Sequence, residues 1–149
     1  MAKQRDNKNP YSAFNFIVEI DGAQIASFQE VSGLDTENQV MEYREGSDAM
    51  NTVRKLPGIE KYPNLTCKRG LTGSTALWDW RKEVRDGGAT FPPTRNVTIM
   101  LLDEKHEAVF KWKLTNAWCS KLSGPSLNAK GNEIAIETME LAYDRLDLE

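Results

Sequence analysis

His106 is the only histidine in the chain, and it stands among Asp103, Glu104 and Glu107 in a short charged run. A histidine beside carboxylates can serve as a general base or share a metal ion, but either task needs further groups aimed at the same point. No serine or cysteine is spaced to be its nucleophile. The acidic run also lacks the alternating oxygen ligands and central glycine of a calcium loop. A solvated turn is the expectation there. Cys67 and Cys119 lie far apart with no CxxC spacing, so they read as reduced packing residues and not as a disulfide framework or zinc site. Gly70-Leu-Thr-Gly-Ser-Thr75 follows Lys68-Arg69 and opens a helical run, where free N–H groups can receive an anion. It has two residues between its glycines and Ser74 after the second, so it is not a Walker loop. A weak anion site competes there with capping by Ser74. The other carboxylates form no identifiable acid–base pair. The residues point to no catalytic, metal or cofactor site, and to no enzyme.

The elements around these residues are mostly extended. Phe14, Phe16, Val18 and Ile20 alternate on one face of a strand, and Asp21-Gly22 is a two-residue turn signal that predicts a hairpin with residues 23–30. Residues 37–45 alternate again, with Met41 and Tyr43 facing a core and Glu42 and Arg44 facing water. From Gly46 to Gly58 no period holds, although Met50, Val53 and Leu56 are apolar; a structureless loop of that length is a candidate contact arm. Residues 65–69 form a plausible strand. Ala76, Leu77, Trp80 and Val84 then share one face of a helix over 75–86, with Gly87-Gly88 as its stop and Trp78 at the edge of the buried stripe or against another chain. Residues 96–102 and 107–114 predict a second hairpin, residues 118–122 a further short strand and residues 133–144 a last one, before an acidic tail at 147–149. Seven or eight strands with one helix make an α+β, mainly antiparallel domain.

Composition narrows the function classes. With 149 residues, 19 Lys+Arg against 22 Asp+Glu and a net charge of −3, the chain fits one domain and has no basic block for a phosphate backbone. The four tryptophans are not interleaved with basic residues as in single-strand binders. Apolar stretches fall far short of the ~20 residues of a membrane span. Residues 1–10 are polar and read as a flexible arm without a signal sequence, ahead of a single domain over 11–149, so synthesis and assembly in the cytoplasm are expected. Extended surface exceeding what one helix can cover must close its sheet edges or pair them with other chains, which favours assembly.

Several segments, taken in order, resemble a known family. Asn9-Pro10-Tyr11, Phe14-Asn-Phe16, Val18-Glu-Ile20-Asp-Gly22 and Phe28-Gln-Glu-Val31-Ser-Gly-Leu34 are similar to the opening of the tail-tube proteins of contractile-tailed phages and related injection systems. Glu42-Tyr-Arg-Glu-Gly46, Lys55-Leu-Pro-Gly58, Lys68-Arg-Gly70, Leu77-Trp-Asp-Trp80, Asn116-Ala-Trp118, Lys121-Leu122 and residues 133–141 continue the resemblance over about residues 9–146.

The resemblance implies a non-enzymatic subunit with a β-sandwich or barrel-like core and one flanking helix. That fold is like the haemolysin-coregulated protein (Hcp) of type VI secretion. It implies hexameric rings stacked into a hollow tube inside a contracting sheath, ending on baseplate and tube-terminating proteins, with cargo protein or phage DNA in the lumen. No sequence-specific nucleic-acid binding, membrane insertion or cofactor is implied. The final location would be a phage tail or phage-like injection particle. The family's long loop maps onto residues 46–58, which makes Met50, Val53 and Leu56 candidate inter-subunit contacts and Glu42 and Arg44 candidate lumen-facing groups. A small-ligand-binding β-barrel is the alternative, and it requires a capacious apolar interior.

Overall fold

The computed structural model describes residues 9–21, 27–87 and 94–149. Among them, strands run in the order β1 (Phe16–Ile20), β2 (Glu30–Ser32), β3 (Glu37–Tyr43), β4 (Arg54–Lys61) and β5 (Leu65–Gly70). Helix α1 (Ala76–Asp86) follows, and then β6 (Arg95–Leu102), β7 (Ala108–Ser123), β8 (Ile136–Ala142) and β9 (Arg145–Leu148). Every pairing is antiparallel.

The 16-residue β7 is the spine. Its first half pairs with β6 on one edge and β9 on the other, while its second half pairs with β8. Leu114 opposite Leu146 and Trp118 opposite Ala142 keep one register, so β8 and β9 run as a single course along β7. Residues 118–122 are therefore a continuation of β7 and not a separate strand. The acidic end at 147–149, expected as a tail, belongs largely to β9. Where β7 passes from one half-sheet to the other it carries a bulge against β6, and Asn116 adopts a φ of 55° there. A bulge inserts one residue and sharpens the twist, which lets one strand serve two sheets. The Asn116 amide donates to Asp144 Oδ2 at 3.0 Å, fixing the bend.

The two half-sheets, β1–β6–β7–β9 and β2–β5–β8–β7, close on a shared core. Val18, Ile20, Val97, Ile99 and Leu114 come from the first, and Leu65, Cys67, Met139 and Leu141 from the second. Among the described residues β1 pairs with β6, and β2 with β5; the turn and the first half of the partner strand of the opening hairpin expected from Asp21-Gly22 fall on residues 22–26. Residues 22–26 lie outside the described residues, as do residues 1–8 of the expected N-terminal arm.

Residues 37–61 form a hairpin whose strands β3 and β4 pair only with each other. Glu37 opposite Lys61 keeps the register of Glu30 opposite Lys68, so the hairpin prolongs the β2–β5 ladder beyond the body of the molecule. The break between the two ladders falls at residues 33–36 and 62–64. There Gly33 has a φ of +98°, and a Cβ on it would stand 2.7 Å from the Asn64 carbonyl oxygen. Gly33→Ala is expected to cost about 1–3 kcal/mol, read as a lower urea midpoint.

Candidate functional site

The arm formed by β3 and β4 carries all the candidate contact residues. Residues 46–58 are not one loop: the loop spans residues 44–53, and residues 54–58 lie in β4. Met50 (69% exposed) and Val53 lie in the tip, and Leu56 lies in β4 opposite Met41. Glu42 stands opposite Lys55. Arg44 folds over the tip, its Nε donating to the Met50 carbonyl at 3.3 Å and its Nη2 to Asn51 Oδ1 at 3.2 Å. Arg54 pairs with Asp48 at 2.9 Å, and the Glu45 N–H donates to Asp48 Oδ2 at 3.1 Å. Exposed pairs of this kind add little stability each, but together they give the tip a defined shape that holds Met50 outward.

Met41 and Tyr43 do not face a core as expected; they are about half exposed, and every residue of β3 is exposed. Val40 and Ile59 are more exposed still. Cross-strand partners share a face, so Met41 and Leu56 lie on one side of the ribbon while Val40 and Pro57 lie on the other. Apolar groups thus project from both faces of a two-stranded ribbon, an element that is marginal alone in water.

Beneath the sheet end, a buried ion pair fixes the helix. Arg69 on β5 and Glu137 on β8 are direct cross-strand partners, and the Arg69 Nε donates to Glu137 Oε1. The Arg69 Nη2 donates to the Ser74 carbonyl at 3.1 Å, and the Trp78 indole N–H to Glu137 Oε2 at 3.2 Å. The pair therefore ties two strands to the start of α1. Leu77 and Trp80 enter the core, and the Arg95 guanidinium lies 4.9 Å from the centre of the Trp80 ring while bonding Glu83 at 3.2 Å. Trp78, expected at the helix edge, is 44% exposed. Thr75, not Ser74, is the N-cap residue, and it makes no side-chain capping bond; Gly87 closes the helix in a left-handed conformation.

The chemistry-bearing residues fall into structural roles. Asp103 Oδ1 accepts the Lys105 N–H at 2.9 Å and the Glu107 N–H at 3.0 Å, so the acidic run organises a tight turn, with His106 exposed at a φ of 61°. No group of residues suited to a metal ion occurs among the described residues. The two cations next to the weak anion site expected at the helix start do not converge on it. Arg69 is consumed by Glu137, and Lys68 projects from the opposite face toward Glu30 at 3.9 Å.

The two free cysteines are buried, and burial pushes Cys67 up to about 12 and Cys119 up to about 11. Above the ordinary thiol value of 9.0 the unfolded chain releases these protons while the folded chain keeps them. Stability is therefore expected to fall as pH rises from about 9 toward 12, and less steeply in the Cys67→Ala/Cys119→Ala double variant; urea titrations at several pH values read this.

The core is built from buried apolar side chains of both half-sheets. Among the described residues, an open cleft of about 320 Å³ is lined by Tyr11, Phe16, Val31, Leu34, Leu101 and Trp112.

Comparison with known proteins decides the family. The T4-like virus tail tube protein gp19 family matches residues 12–147. The chain belongs to this tail tube family. It is a structural tube subunit. No curated protein matches it. A chain of the PVC extracellular contractile injection system, from its sheath–tube complex in the extended state, is similar at 28% identity. That match covers 96% of this chain and 93% of the other, with a TM-score of 0.82. A chain of the anti-feeding prophage tube-terminating cap is similar at 28% identity, over 99% and 95%, with a TM-score of 0.83. Hcp1 from Flavobacterium johnsoniae shares the fold at 13% identity over 89% and 93%, with a TM-score of 0.54. The tube subunit's mainly antiparallel architecture with one helix is thus an Hcp-like tube fold.

Proposed function

We propose that this tube subunit closes into six-membered rings that stack as the hollow inner tube of a contractile injection particle. The exposed arm carries the reading. It offers apolar side chains on both faces, far from the chain's own core, and Met50, Val53 and Leu56 anchor it to neighbouring copies. Glu42 and Arg44 are the arm's candidate lumen-side groups. Pairing sheet edges round a closed ring satisfies main-chain groups that would otherwise template open-ended association. Stacking repeats one head-to-tail contact along the tube.

Similar chains occur in a sheath–tube complex, a tube-terminating cap and a baseplate, which supports a sheath, a terminator and a baseplate as partners here. The subunit acts without catalysis, as the wall past which a cargo protein or DNA moves. It is assembled in the cytoplasm as a single domain over 11–149, and it works in the finished particle. Light scattering across a concentration series, with negative-stain electron microscopy of the same samples, tests this. Species of six times the 16.8 kDa chain mass, or stacked hollow tubes, are expected. Monomers at every concentration, even with a baseplate supplied, would overturn it.

A further inference from the structure

The chain carries five methionines, at positions 1, 41, 50, 100 and 139. Met1 lies outside the described residues; of the other four, Met139 is buried in the core and Met100 is half-buried on β6. The two exposed ones both stand on the arm. Met50 is 69% exposed at the tip, where Arg44 holds its carbonyl and the Arg54–Asp48 pair frames the turn. Met41 is half exposed, lies beside Gly58 and shares a face with its cross-strand partner Leu56. The arm's shape therefore rests on main-chain pairing and on the polar contacts of its tip, not on either thioether. An exposed thioether is open to two-electron oxidants without any prior deprotonation. The two thiols are the reverse case. Burial holds Cys67 at about 12 and Cys119 at about 11, so neutral solution leaves both as unreactive thiols.

We propose that Met50, together with Met41, is a reversible oxidation site at which a peroxide takes the unassembled subunit out of tube assembly. The inference rests on the tube reading. The thioether sulfur attacks one oxygen of hydrogen peroxide, the O–O bond breaks, and the other oxygen leaves as water. Sulfur is thereby oxidised by two electrons to the sulfoxide, and the peroxide is reduced by two. The new S=O group is polar and accepts hydrogen bonds. Water satisfies it on the exposed arm, so the free subunit keeps its fold. Against an apolar neighbour it has no donor, and its burial there carries the cost of an unpaired polar group. Oxidation thus acts on the contact between copies and not on the fold. Assembly acts back on oxidation: a docked arm covers both thioethers, and the finished tube resists a dose that disables the free subunit. Because methionine sulfoxide is reducible by dedicated reductases, the withdrawn subunit can be returned to assembly.

Hydrogen peroxide at neutral pH tests this on the purified subunit, with mass spectrometry of the arm peptides to count the oxygen atoms gained. Once both arm thioethers are converted, the concentration needed for tubes is expected to rise roughly tenfold or more, while the melting curve stays close to the untreated chain's. Methionine sulfoxide reductases A and B, one for each sulfoxide epimer, are expected to restore the original threshold. The Met41→Leu/Met50→Leu double variant nearly conserves side-chain volume, and it is expected to form tubes equally well before and after treatment. Preformed tubes are expected to gain oxygen at positions 41 and 50 far more slowly than free subunits. Fully converted subunits that polymerise at the untreated threshold would overturn the proposal. So would a double variant that peroxide disables as badly as the parent, since the damage would then lie elsewhere, at Met100 for example. If the double variant forms no tubes even untreated, the reductases decide on the parent chain alone: recovery supports the site, and no recovery sinks it. Absence of tubes from the untreated parent chain would instead count against the tube reading itself.

Discussion

Glu137→Ala is expected to lower stability by about 3–5 kcal/mol, because it leaves the Arg69 guanidinium buried without its counter-charge. For a chain of this length that corresponds to a fall in Tm of roughly 10 °C. The loss exceeds that of an exposed pair because both side chains are shielded from water, and because Glu137 also accepts the Trp78 indole N–H. Every buried side-chain nitrogen and oxygen among the described residues has a hydrogen-bond partner, so the single change creates a defect where none exists. Two further variants separate the cause from simple loss of packing. Arg69→Met with Glu137→Leu removes both charges, and it is expected to recover most of the stability. Glu137→Gln keeps the shape and a hydrogen-bond acceptor, and it is expected to fall between the parent and Glu137→Ala. Thermal unfolding of the four chains decides the order. A Glu137→Ala chain as stable as its parent would remove the pair from its role in fixing α1.

Much of this architecture is legible in the sequence wherever one face is dry and the other wet. The spacing of Leu77, Trp80 and Val84 marks the helix, and the alternation of Phe16, Val18 and Ile20 marks β1. The second hairpin follows from two apolar runs about a charged turn. The arm's second strand escapes this reading for a physical reason: with both faces exposed, residues 54–61 need no binary pattern, and Pro57-Gly58 looks like a break. Gly58 is required there because a Cβ would stand 2.5 Å from the Gln39 carbonyl oxygen, and Pro57 is tolerated because the ribbon is all edge and carries an irregularity beside it. The buried pair was hidden by residue type. Extending the alternation of Leu65 and Cys67 by two residues puts Arg69 inward, and the same step back from Leu141 and Met139 puts Glu137 inward. That two charged residues at core positions were partners needed the β5–β8 register, which no local pattern holds. Likewise the acidic end becomes β9 only because β7 leaves an edge for it to continue β8.

The largest effect on assembly is expected from the triple variant Met50→Ser, Val53→Ser and Leu56→Ser. All three side chains are exposed in the single chain, at 69%, 41% and 44%, so their replacement removes no core contact. Surface changes of this kind shift stability by within about 0.5 kcal/mol each, and the melting curve of the isolated subunit should stay close to the parent's. Docked against a neighbour, each side chain would lose contact with water and contribute about 1 kcal/mol after allowance for its partial exposure. Losing three such contributions weakens one subunit contact by about 3 kcal/mol, roughly a hundredfold in its equilibrium constant. Every subunit in a tube repeats the contact, so the effect should appear as a collapse of polymerisation and not as gradual shortening. Sedimentation of assembled material across a concentration series, with microscopy of the pellets, reads the threshold directly. A triple variant that forms tubes at the parent's threshold would show that the arm is no link between copies, and the exposed ribbon would then need another partner. A raised threshold with an unchanged melting curve would locate the tube's cohesion in a hairpin that the lone chain cannot cover.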